Sequence, residues 1–361
     1  MQLWNQLSKE QLEVKLRESG VEFVTISFYH YAKIENAALF RDHLYQMWSN
    51  LGVVGRTYVA NEGINAQLGV PSQQLEQFRK ELYEIDFLDG VRLNIAVDEG
   101  EAEFSFLKLK IKIRKKILAD GLEDESFDVR DKGKHLSPEE FNALTDDPDT
   151  ILIDFRNHYE HEVGHFKGAI TPDVDTFRES LPYIEDEYLK GKEDKNIVMY
   201  CTGGIRCEKA SAWYKHRGFS NVHQLEGGII NYVNQCKESG IDNKFIGKNF
   251  VFDERRSERV SDDVLSVCHQ CGNAADTHAN CVNDACHLLF IQCDSCKEKM
   301  ESCCSDDCQA TIQLSPEDQK IARQGKSISN KIFKKGRSEK LPFMANSEKP
   351  LSLIEINKKN T

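Results

Sequence analysis

Hydrophobic and polar residues alternate along the first part of the chain with two different periods. Strand-like spacing occurs at 21–28, 55–59, 64–68 and 104–113, and helix-like spacing at 6–18, 37–51 and 73–83. Asn61-Glu62-Gly63 separates the second and third strands, and its glycine favours the tight turn of a hairpin. After the first short helix the order is β-α-β-β-α-β, which predicts a ferredoxin-like domain over residues 1–116.

The fourth of these strands has one apolar side and one basic side. The basic side consists of Lys108, Lys110, Lys112 and Arg114, which we call the basic ridge. Same-side residues of a strand stand about 6.6 Å apart, close to the phosphate spacing of a single nucleic-acid strand. The pattern therefore favours binding of RNA phosphates by this side of the strand. The alternative is a solvated edge strand whose lysines prevent aggregation.

A second pattern of alternating strands and helices follows the polar, charged segment 117–134, which we interpret as a linker. The apolar runs at 151–153 and 197–200 predict buried parallel strands, and 208–217 predicts a helix closed by Gly218. This alternation predicts an α/β domain over residues 135–240, built on a doubly wound parallel sheet. Ligands bind at the carboxyl ends of the strands in such sheets.

The most informative chemistry follows the run 197–200, in Cys201-Thr202-Gly203-Gly204-Ile205-Arg206-Cys207. Glycines let the backbone curl so that the N–H groups of Thr202 to Arg206 point at one place, beside a helix N-terminus. Cys201 is therefore expected to be a thiolate nucleophile that Arg206 helps to fix. The alternative is a plain buried cysteine beside a glycine-rich turn.

The length of this loop indicates which chemistry it serves. Cys201 to Arg206 is a six-residue Cys-x4-Arg ring, one residue shorter than the Cys-x5-Arg ring of cysteine phosphatases. The smaller ring favours a single sulfur atom, and thus a persulfide, over a phosphate. Cys207 is either a resolving thiol for Cys201 or a small apolar residue at the start of a helix.

Charged residues near the preceding strand allow two interpretations. Asp154 and Arg156 are predicted to form an ion pair that braces the loop after that strand. His158, His161 and His165, with nearby glutamates, form a less favoured candidate for an iron-type metal site.

Nine cysteines occur within the 41 residues from Cys268 to Cys308. Their spacing predicts two interleaved sets of four zinc ligands, with Cys303 or His287 as substitutes in the second. The first set is Cys268, Cys271, Cys293 and Cys296, and the second is Cys281, Cys286, Cys304 and Cys308. We expect one or two structural zinc ions in a module covering residues 241–314. The alternative is a redox-active or disulfide-bonded cluster.

Composition limits the class of protein. No apolar run approaches the ~18 residues of a membrane helix, and the first residues lack a signal-peptide pattern, so we expect a cytoplasmic protein with reduced thiols. The net charge is −12, which by itself argues against nucleic acid. Residues 315–361 carry 11 basic and 5 acidic residues, a net of +6, which leaves −18 for the rest. We interpret 315–361 as a basic, disordered tail, and RNA binding would depend on such local patches.

Several motifs together resemble a known family. Asp154-x-Arg156, Glu160, the segment 164–169, the cysteine loop and the segment 226–229 are similar to a rhodanese domain from end to end. With the segments 60–65, 156–160 and 245–255 and the cysteine cluster, the chain resembles the rhodanese-containing tRNA uridine hydroxylase family.

The resemblance implies an acylphosphatase-like N-terminal domain and oxygen-dependent hydroxylation of the wobble uridine of tRNA to 5-hydroxyuridine. Dioxygen would be the co-substrate and tRNA the partner; the sequence shows no flavin or nicotinamide fingerprint, and no protein partner is evident. A rhodanese-type sulfurtransferase that carries a persulfide to a small thiol acceptor is the alternative. A zinc-stabilised RNA-binding module with an inactive rhodanese fold is a third hypothesis, against which the intact Cys201 argues.

Overall fold

The computed structural model describes residues 7–97, 103–124, 126–324, 341 and 343. These residues form an N-terminal α+β domain, a central α/β domain and a cysteine-rich module, which confirms the predicted fold class. None of the described helices combines the length and the apolar character required to cross a bilayer.

The N-terminal domain is a five-stranded sheet with helices packed against it. Its helices are α1 Lys9–Ser19, α2 Ala37–Asn50 and α3 Leu75–Tyr83, with 3-10 turns at Ser72–Gln74 and Asp86–Leu88. Its strands are β1 Phe23–Tyr31, β2 Val54–Ala60, β3 Gly63–Pro71, β4 Asn94–Ile95 and β5 Leu109–Ile113, in the order β4-β1-β3-β2-β5. Trp48 and Phe78, both fully buried, lie in its core. The predicted hairpin at Asn61-Glu62 is present, and Gly63 is required there because a Cβ would lie 2.1 Å from the His30 carbonyl oxygen.

The strand that closes the ferredoxin-like pattern is not the predicted one. The two-residue β4 completes it by pairing antiparallel with β1, whereas β5 is an additional strand that pairs parallel with β2 at the opposite edge. β5 also begins at Leu109, later than predicted, so Lys108 precedes the strand, while Arg114 follows its last residue. Ile113, on the apolar side, is 42% exposed. A two-residue strand contains no period, so the sequence pattern selected the longer apolar run instead.

The central domain is built on four parallel strands in the order β6-β10-β9-β7. The strands are β6 Lys134–Leu136, β7 Thr150–Asp154, β9 Asn196–Tyr200 and β10 Val222–Leu225, while β8 Gly164–Phe166 lies outside this sheet. The helices are α4 Pro138–Thr145, α5 His158–His161, α6 Phe177–Ile184, α7 Ile205–His216 and α8 Gly228–Ser239, with a π-helical turn at Glu185–Leu189. Residues of α6 and α7 pack in one core cluster and residues of α4 and α8 in another, as a doubly wound sheet requires.

The cysteine-rich module joins the central domain through β8. Strand β11 Phe245–Phe250 pairs with β8 on one side and with β12 Ser257–Arg259 on the other. The remaining elements are β13 His278–Asn280, β14 Leu289–Ile291, α9 Asp294–Lys299, α10 Asp306–Ile312 and α11 Pro316–Arg323. Helix α11 occupies the start of the segment predicted to be disordered, and the Ser315 hydroxyl caps it by accepting from the Asp318 N–H. Apart from 341 and 343, the tail after residue 324 lies outside the described residues.

The segment 117–134 packs between the first two domains. Asp120 is buried and forms ion pairs with Lys116 at 2.6 Å and with Lys209 of α7 at 3.0 Å. Lys209 also pairs with Glu62 of the N-terminal hairpin at 2.9 Å. These contacts hold the N-terminal domain against the helix that follows the cysteine loop.

Candidate active site

Cys201 lies at the carboxyl end of β9, between the sheet and the N-terminus of α7. Its side chain is fully buried, and its sulfur accepts a hydrogen bond from the Gly204 N–H at 3.2 Å. Burial, the largest influence, raises the pKa of Cys201. The hydrogen bond from the Cys207 thiol, the charge of Arg206 and the N–H groups of both residues outweigh burial and lower the pKa to about 6. The site therefore holds a thiolate near neutral pH.

Arg206 is bound by a carboxylate from the neighbouring loop. Its two terminal nitrogens donate to the two oxygens of Glu160, both at 2.7 Å, and both side chains are buried. Glu160 is positioned by the capping box of α5, where it also accepts from the Asn157 N–H at 3.0 Å. The charge of Arg206 favours the Cys201 thiolate, while its described side-chain hydrogen bonds go to Glu160 and Thr202.

Asp154, the last residue of β7, and Arg156 form a fully buried ion pair at 2.6 Å. Arg156 also donates to the Gly164 carbonyl at 2.7 Å, which ties the end of β7 to the start of β8. Burial acts to raise the pKa of Asp154, but the Arg156 guanidinium outweighs it and holds that pKa below its usual range. The pair braces the segment that carries Glu160.

Helix α7 begins at Ile205, three residues before the predicted start, because Gly204 adopts a left-handed conformation with φ of 99°. This places Cys207 in the first helical turn, buried and next to Cys201. Burial and the neighbouring Cys201 raise the pKa of Cys207 well above its usual value. Cys207 is therefore a protonated thiol that donates its hydrogen bond to the Cys201 thiolate.

The three histidines of the weaker metal hypothesis bind different partners. His158 Nδ1 pairs with Asp175 at 2.9 Å, His161 Nε2 contacts the Pro172 carbonyl at 3.1 Å, and His165 Nδ1 contacts the Phe166 carbonyl at 3.1 Å. Within the described ranges, the groups placed closely enough to share a metal ion are two sets of cysteines, and these histidines belong to neither.

The two sets of cysteines are those predicted from their spacing. In each set the four sulfur atoms lie within 4.8 Å of one another. Neighbouring sulfurs are 3.6 Å apart between Cys271 and Cys293, 3.6 Å between Cys286 and Cys304, and 3.7 Å between Cys304 and Cys308. A tetrahedral zinc ion with Zn–S bonds of about 2.3 Å holds its sulfurs about 3.8 Å apart. Both sets therefore fit a metal ion, and every cysteine in them is free of disulfide bonds.

The N-terminal domain covers the cysteine loop, which the sequence alone did not indicate. Asn94 of β4 donates to the Gly203 carbonyl at 3.3 Å, and Tyr29 of β1 donates to Glu208 of α7 at 3.3 Å. Gly204 is needed at this seam because a Cβ would lie 2.9 Å from the Tyr29 hydroxyl. No local motif marks Tyr29 or Asn94, because their role depends on how two domains dock.

The basic ridge lies at the edge of the N-terminal sheet opposite to β4. Lys108, Lys110 and Arg114 are exposed and Lys112 is half-buried. Burial and the neighbouring charges of Lys112 and Lys108 lower the pKa of Lys110, as expected where positive charge is concentrated. Four strand spacings separate this edge from β4, about 19 Å. The contact with the cysteine loop is thus made at the edge of the sheet away from the ridge.

A buried thiolate in a six-residue ring, between a parallel strand and a helix N-terminus, defines a domain of the rhodanese class. Family models agree along the chain: a UPF0176 acylphosphatase-like domain matches residues 23–117, a rhodanese-like domain matches 137–235, and a rhodanese C-terminal domain matches 246–309.

Full-length relatives give the narrower assignment. A tRNA uridine(34) hydroxylase from Leptospira interrogans is 52% identical over 335 residues, 93% of this chain and 90% of that protein. Those from Photorhabdus laumondii and Salmonella arizonae are 50% and 52% identical, each over 93% of this chain and 95% of that protein. The chain belongs to the tRNA uridine(34) hydroxylase family, which confirms the resemblance seen in the sequence.

Proposed function

We propose that this protein hydroxylates uridine 34 of tRNA, with dioxygen as co-substrate and 5-hydroxyuridine as product. Identity of about 50% to named hydroxylases over 93% of the chain supports the reaction. The observation that carries the chemistry is the buried Cys201 thiolate with its pKa of about 6. A tRNA substrate agrees with the cytoplasmic location expected from the sequence.

Each residue of the site has a role in this proposal. Cys201 is the nucleophile that meets the base, and a base must leave its stack to reach such a position. Arg206 favours the thiolate by its charge, and Glu160 keeps Arg206 in place. Cys207 supplies a hydrogen bond that stabilises the thiolate.

The cysteine sets are proposed to hold two structural zinc ions, one in each set of four sulfurs. A closed four-thiolate site supplies folding energy and leaves no open coordination position. Besides the pairing of β11 with β8, the module contacts the central domain through His269, whose Nε2 lies 2.7 Å from Glu162, two residues after Glu160. Zinc would thus stabilise a module that contacts the loop carrying the partner of Arg206.

Sulfur transfer remains the second candidate, and the Cys-x4-Arg ring favours it. Tyr29 and Asn94 of the N-terminal domain contact α7 and the cysteine loop, which argues for a substrate that both domains recognise. A small thiol acceptor does not need recognition by two domains.

Nucleoside mass spectrometry tests the proposal directly. Cells lacking the protein should lose 5-hydroxyuridine and its derivatives from tRNA, and the wild-type chain should restore them. Cys201→Ser should fail to restore them, because a hydroxyl stays protonated near neutral pH. Cys236→Ser is the matched control, since Cys236 is a buried thiol in the core cluster on the other face of the sheet. Full restoration by Cys201→Ser would refute the assigned role.

A further inference from the structure

A cavity of about 380 Å³ lies between the N-terminal and central domains, beside the cysteine loop. Its walls include Tyr29 and Tyr31 of β1, Asn94 of β4 and Gly203 of the cysteine loop. Small-ligand sites have volumes of roughly 300–1,000 Å³, so this cavity is large enough for one nucleotide. Gly203 places it two residues from the buried Cys201.

Tyr31 and Asn94, two of these lining residues, each carry a polar atom that is buried and has no partner among the described residues. These atoms are the hydroxyl of Tyr31 and the side-chain oxygen of Asn94. The Asn94 amide nitrogen donates to the Gly203 carbonyl, so its oxygen is the atom left to accept a hydrogen bond. A buried polar group without a partner costs free energy, which a ligand can recover by supplying one.

Three cations line the same cavity and reach solvent. Arg92, Lys132 and Arg130 have side chains that are 41%, 40% and 84% exposed. Each is paired with a carboxylate: Arg92 with Glu226, Lys132 with Glu208, and Arg130 with Asp128. The Arg130–Asp128 pair is exposed and therefore weak, whereas Lys132 pairs with the buried Glu208, which His135 also contacts. Phosphates on either side of a bound nucleotide can compete for Arg130 and for the exposed part of Arg92.

We propose that this cavity is the binding site of the extruded base at tRNA position 34, and that Asn94 and Tyr31 read it as uracil. The Asn94 oxygen accepts from the N3–H of uracil, and the Tyr31 hydroxyl donates to a uracil carbonyl. Cytosine carries no hydrogen on N3, so it leaves the Asn94 oxygen unpaired and is rejected. This inference rests on the proposed function and names the residues that select its substrate.

Photo-crosslinking locates the base without requiring turnover. An anticodon stem-loop with 4-thiouridine at position 34 is irradiated with the full-length protein, and the attached tryptic peptide is identified by mass spectrometry. We expect attachment to peptide 18–33, which contains Tyr31, or to peptide 93–108, which contains Asn94. Attachment only elsewhere, or no attachment by RNA that is bound, overturns the assignment.

Substitutions test whether Tyr31 and Asn94 recognise the base as uracil. Tyr31→Phe should lower kcat/KM for hydroxylation about tenfold, the effect of losing one buried hydrogen bond, and Asn94→Leu should lower it further because it also removes the hydrogen bond to Gly203. The Kd for tRNA should stay within twofold, because phosphate contacts dominate it. Asn94→Leu should also narrow the preference for uridine-34 over cytidine-34 stem-loops in competitive crosslinking. Tyr45→Phe is the control, since this hydroxyl on α2 does not line the cavity.

The outcomes separate the inference from the function on which it rests. Unchanged kcat/KM and an unchanged preference for uridine in both variants refute the reading by Tyr31 and Asn94, while hydroxylation by the wild type stands. Absence of hydroxylation by the wild type refutes the proposed function, and the crosslink then still reports whether position 34 occupies the cavity.

Discussion

Replacing Glu160 by glutamine is the sharpest test of how the thiolate is maintained. The substitution keeps the size of the side chain and one acceptor oxygen but removes the negative charge opposite Arg206. Both partners are buried, and two hydrogen bonds of 2.7 Å join them. The variant therefore contains a buried guanidinium that has lost its paired carboxylate.

The substitution is expected to destabilise the fold but to stabilise the thiolate form of Cys201. Removing one partner of a buried ion pair costs about 3–5 kcal/mol, and we take ~3 kcal/mol because glutamine retains one acceptor. The pKa of Cys201 should fall below its present value of about 6, because Arg206 then acts on the sulfur without a compensating carboxylate.

Two measurements follow these effects separately. Hydrogen exchange of the β9 amides should accelerate about a hundredfold, since 1.4 kcal/mol corresponds to a factor of ten. Alkylation as a function of pH gives the thiolate pKa, because trypsin separates Cys201 in peptide 196–206 from Cys207 in peptide 207–209. Glu254→Gln is the control: Glu254 is 45% exposed and pairs with Lys9, so its loss should cost under about 1 kcal/mol.

Exchange rates that match those of Glu254→Gln would show that the Glu160–Arg206 pair does not hold this site together. A Cys201 pKa that rises in Glu160→Gln would show that Arg206 moves away from the sulfur once its carboxylate is gone. Either result would contradict the proposed dependence of the thiolate on this ion pair.

Four further predictions concern the sulfur atoms, the metal and the RNA. Cys207→Ser should reduce hydroxylation only partly, because a hydroxyl can also donate to Cys201, and loss of all activity would instead indicate a redox role. With a Cys201 pKa of about 6, kcat/KM should fall as the pH drops below that value, and a flat profile from pH 5 to 8 would contradict the thiolate mechanism. Reduced protein should contain two zinc ions by elemental analysis, and Cys268→Ser and Cys281→Ser should each remove one; finding no zinc rejects both sites. Changing the whole basic ridge to glutamine should weaken tRNA binding and reduce the logarithmic salt slope by roughly 0.7–0.9 per lost contact, while equal affinity and slope would leave it a solubilising edge.

Local sequence patterns predicted those parts of the molecule that depend on neighbouring residues. The apolar run before Cys201 gave the strand, and two glycines followed by a helical pattern gave the loop and α7. Cysteine spacing grouped the two sets of four sulfurs correctly, because interleaved pairs leave few ways to close two tetrahedral sites.

The sequence did not predict the features that depend on contacts between domains or between distant segments, and particular residues show why. The short strand at Asn94 has no period to detect, so the following apolar run took its place in the predicted order. The pairing of Glu160 with Arg206 spans 46 positions and requires a capped turn to fold beneath the loop. Tyr29 reaches the site from another domain, and nothing near it in the chain indicates that contact.

The complete burial of Cys201 affects how long the protein survives between substrates. A sulfur that is ionised at neutral pH is the kind that peroxides and electrophilic metabolites consume first. Tyr29 and Asn94 dock the N-terminal domain on the loop and helix that hold this sulfur, which is fully buried in the docked arrangement. Loosening that seam should therefore shorten the working lifetime of the enzyme under oxidative stress, even in a variant whose first turnover is normal.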